Sequence, residues 1–526
     1  MKREDLIAPL QYNLVSEMER FAKQKDKIAV KWESQDGKTE EISYEALMAG
    51  ANKIGNVLLN SGLKKGDVIL VIIPRLLNAY EVYLAALKLG LVVIPSSEML
   101  RTKDLQYRII HGGVKGVISY HPYVDEFEPI AEMKQVIKFT IGQEKAGWER
   151  LDEKMKTASA ELSLADTSRD DMAFLSYTSG TTGNPKAVVH THGWAYAHLR
   201  TAAPHWLSIG EGDTVWATAG PGWMKWIWSP FLAVLGSGAT GLAYHGKFEP
   251  EKYLQLLEKY KVNVLCCTPT EYRLMAKVDH LGEYNLSSLH SAVSAGEPLN
   301  REVIETFQRH FDLKVRDGYG QTESTLLVGI LKDMELKPGS MGKPTPGNHV
   351  EIINDAGEVC PVGEVGDIAV HKDTPALFKE YYKEPERTMA QYRGDYFVTG
   401  DRAKKDEEGY FWFEGRSDDI IISSGYTIGP FEVEDALVKH PFVKECAVVA
   451  SPDKDRGNVV KAFIVLKQGV KENEDDLIKL LQRHVKEMTA PYKYPRRIEF
   501  VEELPKTSSG KIRRVELRND ELKKYL

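Results

Sequence analysis

Six consecutive apolar residues, Val68-Ile69-Leu70-Val71-Ile72-Ile73, end at Pro74. A strand with no polar alternation must be covered on both faces, which points to a parallel sheet flanked by helices. The surrounding sequence repeats this logic. Leu47, Ala51, Ile54 and Leu58 follow helical spacing, residues 80–89 read as a second helix stopped by Gly90, and Leu91-Val92-Val93-Ile94 is the next strand, bounded by Pro95. The pattern returns as a helix over 253–260 followed by Val262-Asn263-Val264-Leu265. The expected architecture is α/β, a large N-terminal domain with doubly wound sheets.

The chain has 526 residues, too many for one core. From about 339 to 415, short strands (Val350-Glu351-Ile352-Ile353, Asp367-Ile368-Ala369-Val370, Gly409-Tyr410-Phe411-Trp412-Phe413) alternate with Gly, Pro and Asp turns. That predicts a small antiparallel sheet or β-barrel. After Arg416-Ser417-Asp418-Asp419 the texture changes again. Pro430 suits the first turn of a helix with Val433, Ala436 and Leu437 on one face. Strands over 446–450 and 461–466 follow, then a helix with Leu477, Leu480 and Leu481 on one side. This is a small α+β unit, so residues 1–417 and 418–526 are expected to be separate domains.

Net charge is −7, from 69 basic and 76 acidic residues, which argues against a nucleic-acid partner. Cys266, Cys267, Cys360 and Cys446 make no CxxC pair and read as reduced thiols. No signal-type core follows Met1-Lys2-Arg3-Glu4-Asp5, and no apolar run is long enough to span a membrane. A cytoplasmic protein without integral membrane association is expected.

Chemistry concentrates at Tyr177-Thr178-Ser179-Gly180-Thr181-Thr182-Gly183-Asn184-Pro185-Lys186. Hydroxyls, glycines and one lysine sit between two apolar runs, Met172-Ala173-Phe174-Leu175 and Ala187-Val188-Val189. Such a loop can turn backbone N–H groups and hydroxyls toward a nucleotide polyphosphate, with glycine allowing close approach. It is not a Walker A loop, because Asn184-Pro185 separates the last glycine from the lysine. An ordinary Gly/Ser/Thr turn is the bland alternative.

Other segments are weaker alone. Asp317-Gly318-Tyr319-Gly320-Gln321-Thr322-Glu323 follows a strand and places a carboxylate beside a hydroxyl, a plausible Mg²⁺ and phosphate site or a plain surface turn. Gly296-Glu297-Pro298 follows another strand-like run. Asp401, after Gly400, could accept from ribose hydroxyls. Lys511 lies on a Ser/Gly-rich hairpin from Leu504 onward, a position able to reach a distant site but also typical of a solvated end. His190 and His192 suggest a metal, but i, i+2 on a strand offers no third ligand, and a structural or surface role fits better. The tryptophans of Trp223-Met224-Lys225-Trp226-Ile227-Trp228 suit either a core or an apolar pocket wall.

In this order and spacing, the segments resemble the adenylate-forming superfamily of acyl-CoA synthetases, peptide-synthetase adenylation domains and luciferases. The matching stretches are residues 177–186, 319–323, 399–402, 415–419 and 505–511. Residues 423–430 and Ala490-Pro491-Tyr492-Lys493-Tyr494-Pro495 make medium-chain acyl-CoA synthetases the nearest branch. The resemblance implies a two-step reaction. A carboxylate attacks the α-phosphorus of ATP, pyrophosphate leaves, and the thiol of coenzyme A then displaces AMP. It implies that Thr178, Ser179, Gly180, Thr181, Thr182, Gly183 and Lys186 hold the β- and γ-phosphates. Glu323 would bind Mg²⁺, and Thr322 the α-phosphate. Gly296, Glu297, Pro298 and Tyr319 would frame adenine, with Asp317, Gly318, Gly320 and Gln321 in the same nucleotide site. Asp401 and Arg416 would hold ribose, and Lys511 would bridge carboxylate and α-phosphate. The family's C-terminal domain rotates between steps. Asp418 matches its hinge, while Ser424, Gly425, Tyr426 and Arg456 are the candidate CoA contacts. Trp223 and Gly320 are the acyl-pocket candidates. Acetyl-specific relatives carry tryptophan where this chain has Gly320, so an acid larger than acetate is expected. Two rivals are an enzyme loading a carrier-protein thiol and an inactive nucleotide-binding sensor.

Overall fold

The computed structural model describes residues 1–178, 185–296, 299, 301–416, 419–423, 426–453, 456–470, 472–506 and 511–525. Contacts divide the chain into two compact units. The first is Met1–Pro338 with Gly342–His349 and Lys372–Gln391, and the second is Gly339–Met341 with Val350–His371 and Tyr392–Leu526.

The first unit holds two sheets. In one, Val68–Ile72 lies between Val92–Pro95 and Gly116–Tyr120, parallel to both. Its residues divide between two cores. Ile69, Val71 and Ile73 enter one apolar cluster, while Val68, Leu70 and Ile72 enter another. All six are at most 6% exposed, which is why the run contains no polar residue. The helix Tyr44–Asn60 buries Leu47, Ala51, Ile54 and Leu58 and starts at Ser43, whose side chain accepts from the Ala46 N–H at 3.1 Å. Met172–Thr178 and Lys186–Thr191 extend the sheet as an antiparallel pair, and Glu380–Tyr381 forms its edge.

The other sheet is parallel from Ile28–Ser34 through Thr240–His245, Thr214–Ala217, Val264–Cys267 and Ser291–Ala295 to Val315–Gly320. Leu326–Gly329 then turns back antiparallel. The expected strand over 262–265 is shifted to Val264–Cys267, and its alternate residues again face two cores.

In the second unit, Val350–Ile353, Gly366–His371, Tyr396–Lys405 and Phe411–Arg416 form the expected antiparallel sheet. Val443–Asp453, Gly457–Leu466 and Arg497–Phe500 form a three-stranded sheet, packed with the helices Pro430–Val438 and Glu474–Met488. Pro430 does occupy the first turn of its helix. Leu480 departs from expectation: it is 39% exposed, whereas Leu477, Leu481 and Val485 are buried. At 100° per residue, 477, 481 and 485 form the apolar stripe and 480 falls about 100° from its centre. The compact-unit division groups the β-rich strands with the C-terminal residues. The expected boundary between residues 417 and 418 falls within the second unit, and both residues lie outside the described ones.

Candidate active site

Thr178 pairs with Lys186 across the antiparallel strands, so the two ends of the glycine/hydroxyl loop are fixed opposite each other. Ser179, Gly180, Thr181, Thr182 and Gly183 lie outside the described residues. On the other side of the lysine strand, Tyr381 pairs with Val188. That places Tyr381 diagonally across from Lys186, within reach of a long side chain. The Lys186 Nζ donates to Glu323 Oε1 at 2.9 Å and to the Tyr381 hydroxyl at 3.0 Å. The Tyr381 hydroxyl donates to the same Oε1 at 2.8 Å.

Burial would raise the Glu323 carboxyl, but the Lys186 charge and the hydrogen bonds from Lys186 and Tyr381 outweigh it and hold the group below the usual range. Burial first, and the Glu323 charge second, push the Tyr381 hydroxyl far up, so it stays a donor. An ionised, nearly buried carboxylate supplies a hard oxygen of the kind Mg²⁺ prefers. Tyr381 was missed from the sequence. Its only signal is the aromatic pair Tyr381-Tyr382 inside a polar stretch, Lys379-Glu380 before and Lys383-Glu384 after.

The 317–323 segment is not a turn throughout. Asp317, Gly318, Tyr319 and Gly320 belong to the strand Val315–Gly320, and the turn begins at Gln321, whose N–H donates to Ser324 Oγ at 3.1 Å. Tyr319 and Gln321 are half-buried. Asp317 is buried and accepts from the N–H groups of Gly318 at 2.8 Å and Leu299 at 3.5 Å. It therefore holds Leu299, three residues after Gly296, which follows the neighbouring strand Ser291–Ala295 at φ +107°. Glu297 and Pro298 lie outside the described residues.

Burial pushes the Asp317 carboxyl up to about 7. In the unfolded chain it would ionise near pH 4, so between pH 4 and 7 the folded state holds a proton that the unfolded state has released. Stability falls as pH rises through that window. Asp317→Asn keeps an acceptor but cannot ionise. Its stability relative to the parent is expected to rise by about 2–4 kcal/mol from pH 4 to pH 8 in urea titrations; a pH-independent difference would contradict the buried-acid assignment.

Gly320 has a reason of its own. A bulge at Tyr319/Gly320 brings the strand against its neighbour, and a Cβ at 320 would lie 2.1 Å from the Thr325 carbonyl oxygen. This backbone admits no side chain there without moving, so the residue cannot be read as pocket volume alone. Gly320→Ala is expected to cost about 1–3 kcal/mol. Unchanged stability in a denaturant melt would show that the two strands separate freely. Trp223 is half-buried at the start of the short helix Met224–Trp226, while Trp226 and Trp228 belong to the core.

His190 and His192 do not share a strand face. His190 is in Lys186–Thr191, and Thr191 caps the helix His192–Thr201 by accepting from the Trp194 N–H at 3.3 Å. Both imidazoles are fully buried, in agreement with a structural role. His190 Nε2 donates to the Thr322 carbonyl at 2.6 Å, and His192 Nδ1 accepts from the Leu14 N–H at 3.2 Å.

In the second unit, Gly400 and Asp401 lie within Tyr396–Lys405 and not in a turn. Asp401 is buried, pairs in register with Arg416, and has its Oδ1 3.7 Å from the Arg416 Nε. Tyr426 opens the strand Tyr426–Ile428, opposite Ser423; Ser424, Gly425 and Asp418 lie outside the described residues. Arg456 is exposed, and its N–H donates to Asp453 Oδ1 at 3.2 Å. Lys511 is exposed beside Ile512, which bridges antiparallel to Lys506.

Two sheets whose strand ends carry a glycine/hydroxyl loop, a lysine–carboxylate pair and a braced turn make an α/β enzyme site suited to an anionic nucleotide. Residues 18–382 match the AMP-binding enzyme family, and 432–511 match the AMP-binding enzyme C-terminal domain. The chain is 68% identical over 521 residues to the uncharacterized acyl–CoA ligase YtcI of Bacillus subtilis (strain 168), covering 99% of this chain and 98% of that one. It is 42% identical to the mitochondrial acyl-coenzyme A synthetase ACSM3 of Rattus norvegicus, covering 96% and 88%. Among solved structures, the anthranilate CoA ligase AuaEII in complex with anthranoyl-AMP matches the whole of both chains with TM-score 0.92 and 28% identity. The chain belongs to the AMP-binding enzyme family, as an acyl-CoA synthetase. No helix among the described residues is long and apolar enough to cross a membrane.

Proposed function

We propose that this enzyme activates a carboxylic acid larger than acetate as an acyl-adenylate and transfers the acyl group to CoA. The observation that carries the reading is the Lys186–Glu323–Tyr381 cluster at the end of the glycine/hydroxyl loop. Adenylation brings two anions together, so it depends chiefly on alignment and charge neutralisation. Lys186 would turn from Glu323 toward the leaving pyrophosphate. Glu323 would hold Mg²⁺ through its ionised carboxylate, with Thr322 at the α-phosphate; the bound ion would supply further positive charge beside the polyphosphate. A single protein carboxylate is enough for Mg²⁺ when phosphates and water complete the shell. Tyr381, kept protonated, would steady the carboxylate as the lysine shifts. Asp317 would brace the adenine-framing segment around Gly296. Asp401 and Arg416 would hold ribose, and Lys511 would join carboxylate to α-phosphate. Ser424, Gly425, Tyr426 and Arg456 would meet CoA after rotation about Asp418.

The relationship to AuaEII, named for an aryl acid, supports a roomy acyl site; Trp223 would stand on its wall. A panel of acids with ATP, Mg²⁺ and CoA, followed by pyrophosphate release, tests this. Straight, branched or aryl acids of four to eight carbons should show higher kcat/KM than acetate, each buried methylene adding about 0.8 kcal/mol, or about fourfold. An acetate preference would overturn the size assignment. AMP release with CoA but not with a carrier-protein thiol would separate the proposed acceptor from its rival.

A further inference from the structure

The lysine strand and the helix after it hold more than Lys186. His190, Trp194 and His198 are spaced four apart, the first at the strand's end and the others on one helix face. Their rings form a column: His190 and Trp194 have centroids 4.2 Å apart, and Trp194 and His198 are stacked at 5.8 Å. Each ring meets the chain at 322–325. His190 Nε2 donates to the Thr322 carbonyl at 2.6 Å, and Trp194 Nε1 donates to the Ser324 carbonyl at 3.2 Å. His198 Nε2 donates to the Trp228 carbonyl at 2.7 Å, which leaves Nδ1 to accept from the Thr325 hydroxyl. The intervening Glu323 carbonyl accepts from the Phe378 N–H at 2.7 Å, on a different element. The successive carbonyls of 322, 323 and 324 in this turn are thus gripped by partners on three different segments.

We propose that His190, Trp194 and His198 form a positioning ladder for adenylation, fixing the 322–325 backbone so that Thr322 and Glu323 are held against Lys186. The inference rests on the proposed roles of Thr322 and Glu323. Lys186 and His190 are four residues apart on one strand, and therefore on one face. A single strand thus addresses both the Glu323 carboxylate and the carbonyl just before it. His190 Nδ1 is buried without a partner, a cost that an apolar residue of similar size would not carry. Its donor to Thr322 is what the imidazole contributes. Burial holds the His190 and His198 rings down at about 4, so both stay neutral and keep these tautomers near neutral pH.

The test uses the full-length enzyme with His190→Leu, His190→Gln, Trp194→Phe and Thr325→Val. Carboxylate-dependent exchange of labelled pyrophosphate into ATP reports adenylation, and thioester formation from supplied acyl-adenylate reports the second step. His190→Leu is expected to slow exchange by roughly 10–100-fold and to raise the Mg²⁺ requirement, with thioester formation unchanged. His190→Gln, which keeps an N–H donor, should recover most of the exchange rate. Trp194→Phe and Thr325→Val should each give the same split, so the ladder remains testable if His190→Leu does not fold. Equal loss of both half-reactions, a glutamine no better than leucine, or full exchange in all variants would overturn the ladder. A parent enzyme inert in exchange with every acid would instead overturn the adenylating role on which it rests.

Discussion

Replacing Lys511 with alanine is expected to abolish acyl-adenylate formation while leaving the transfer of a supplied acyl-adenylate to CoA. The carboxylate and the α-phosphate repel each other as they approach, and the Lys511 ammonium, in its proposed place between them, would offset that repulsion. Loss of such a group costs about 3–4 kcal/mol at the transition state, or roughly 10²–10³ in rate. The position makes the result readable. Lys511 is exposed, and the chain beside it is held by the backbone: Lys506 bridges Ile512, and the Arg513 N–H donates to the Pro505 carbonyl at 2.8 Å. Alanine there should change stability by no more than about 0.5 kcal/mol. A lost first step at an unchanged melting point therefore cannot be unfolding. If both half-reactions fall together, the two-step assignment of this lysine fails.

The second large effect is expected at the Lys186–Glu323 pair. Its two side chains are only 21% and 9% exposed, so removing one leaves a poorly solvated charge on the other. Glu323→Leu and Lys186→Met should each destabilise the protein by about 3 kcal/mol, the lower end of the range for broken buried pairs because the lysine keeps some water. The double variant Lys186→Met/Glu323→Leu should regain much of that stability, since it buries no charge. Activity should not follow. All three variants should lose roughly 10²–10³ in pyrophosphate exchange, because catalysis needs the charges and folding does not. Urea melts and exchange assays on the four proteins complete the cycle. Simple additivity in stability would mean that the two residues do not depend on each other.

The sequence made the parallel architecture legible because burial on both faces is written directly into composition: a run like 68–73 has no other soluble use. The glycine/hydroxyl loop stood out for a similar reason, since glycine, hydroxyl and lysine crowd into ten residues. Tyr381 was not legible. Its position depends on strand pairing across 193 residues, from Val188 to Tyr381, which no local pattern encodes. The same holds for the column of His190, Trp194 and His198, whose partners lie about 130 residues away. Gly320 was legible as a glycine but not in its cause, because a close backbone approach leaves the same letter as an open pocket.

The edge strand Glu380–Tyr381 also sets an order of events during synthesis. Val188 and Val189 reach the ribosome's exit long before their partners Tyr381 and Glu380. At ordinary elongation rates the gap is roughly 10–40 s. Throughout that interval the lysine strand has an unpaired edge, and a bare strand edge is a template for pairing with other chains. The segment Lys372–Gln391 joins the first unit only after the chain has passed through Val350–His371 of the second. A nascent or truncated chain ending near residue 340 therefore carries its Lys186 and Glu323 but neither the tyrosine that steadies them nor the strand that closes the sheet. Such chains should be the ones that chaperones hold and that aggregates recruit.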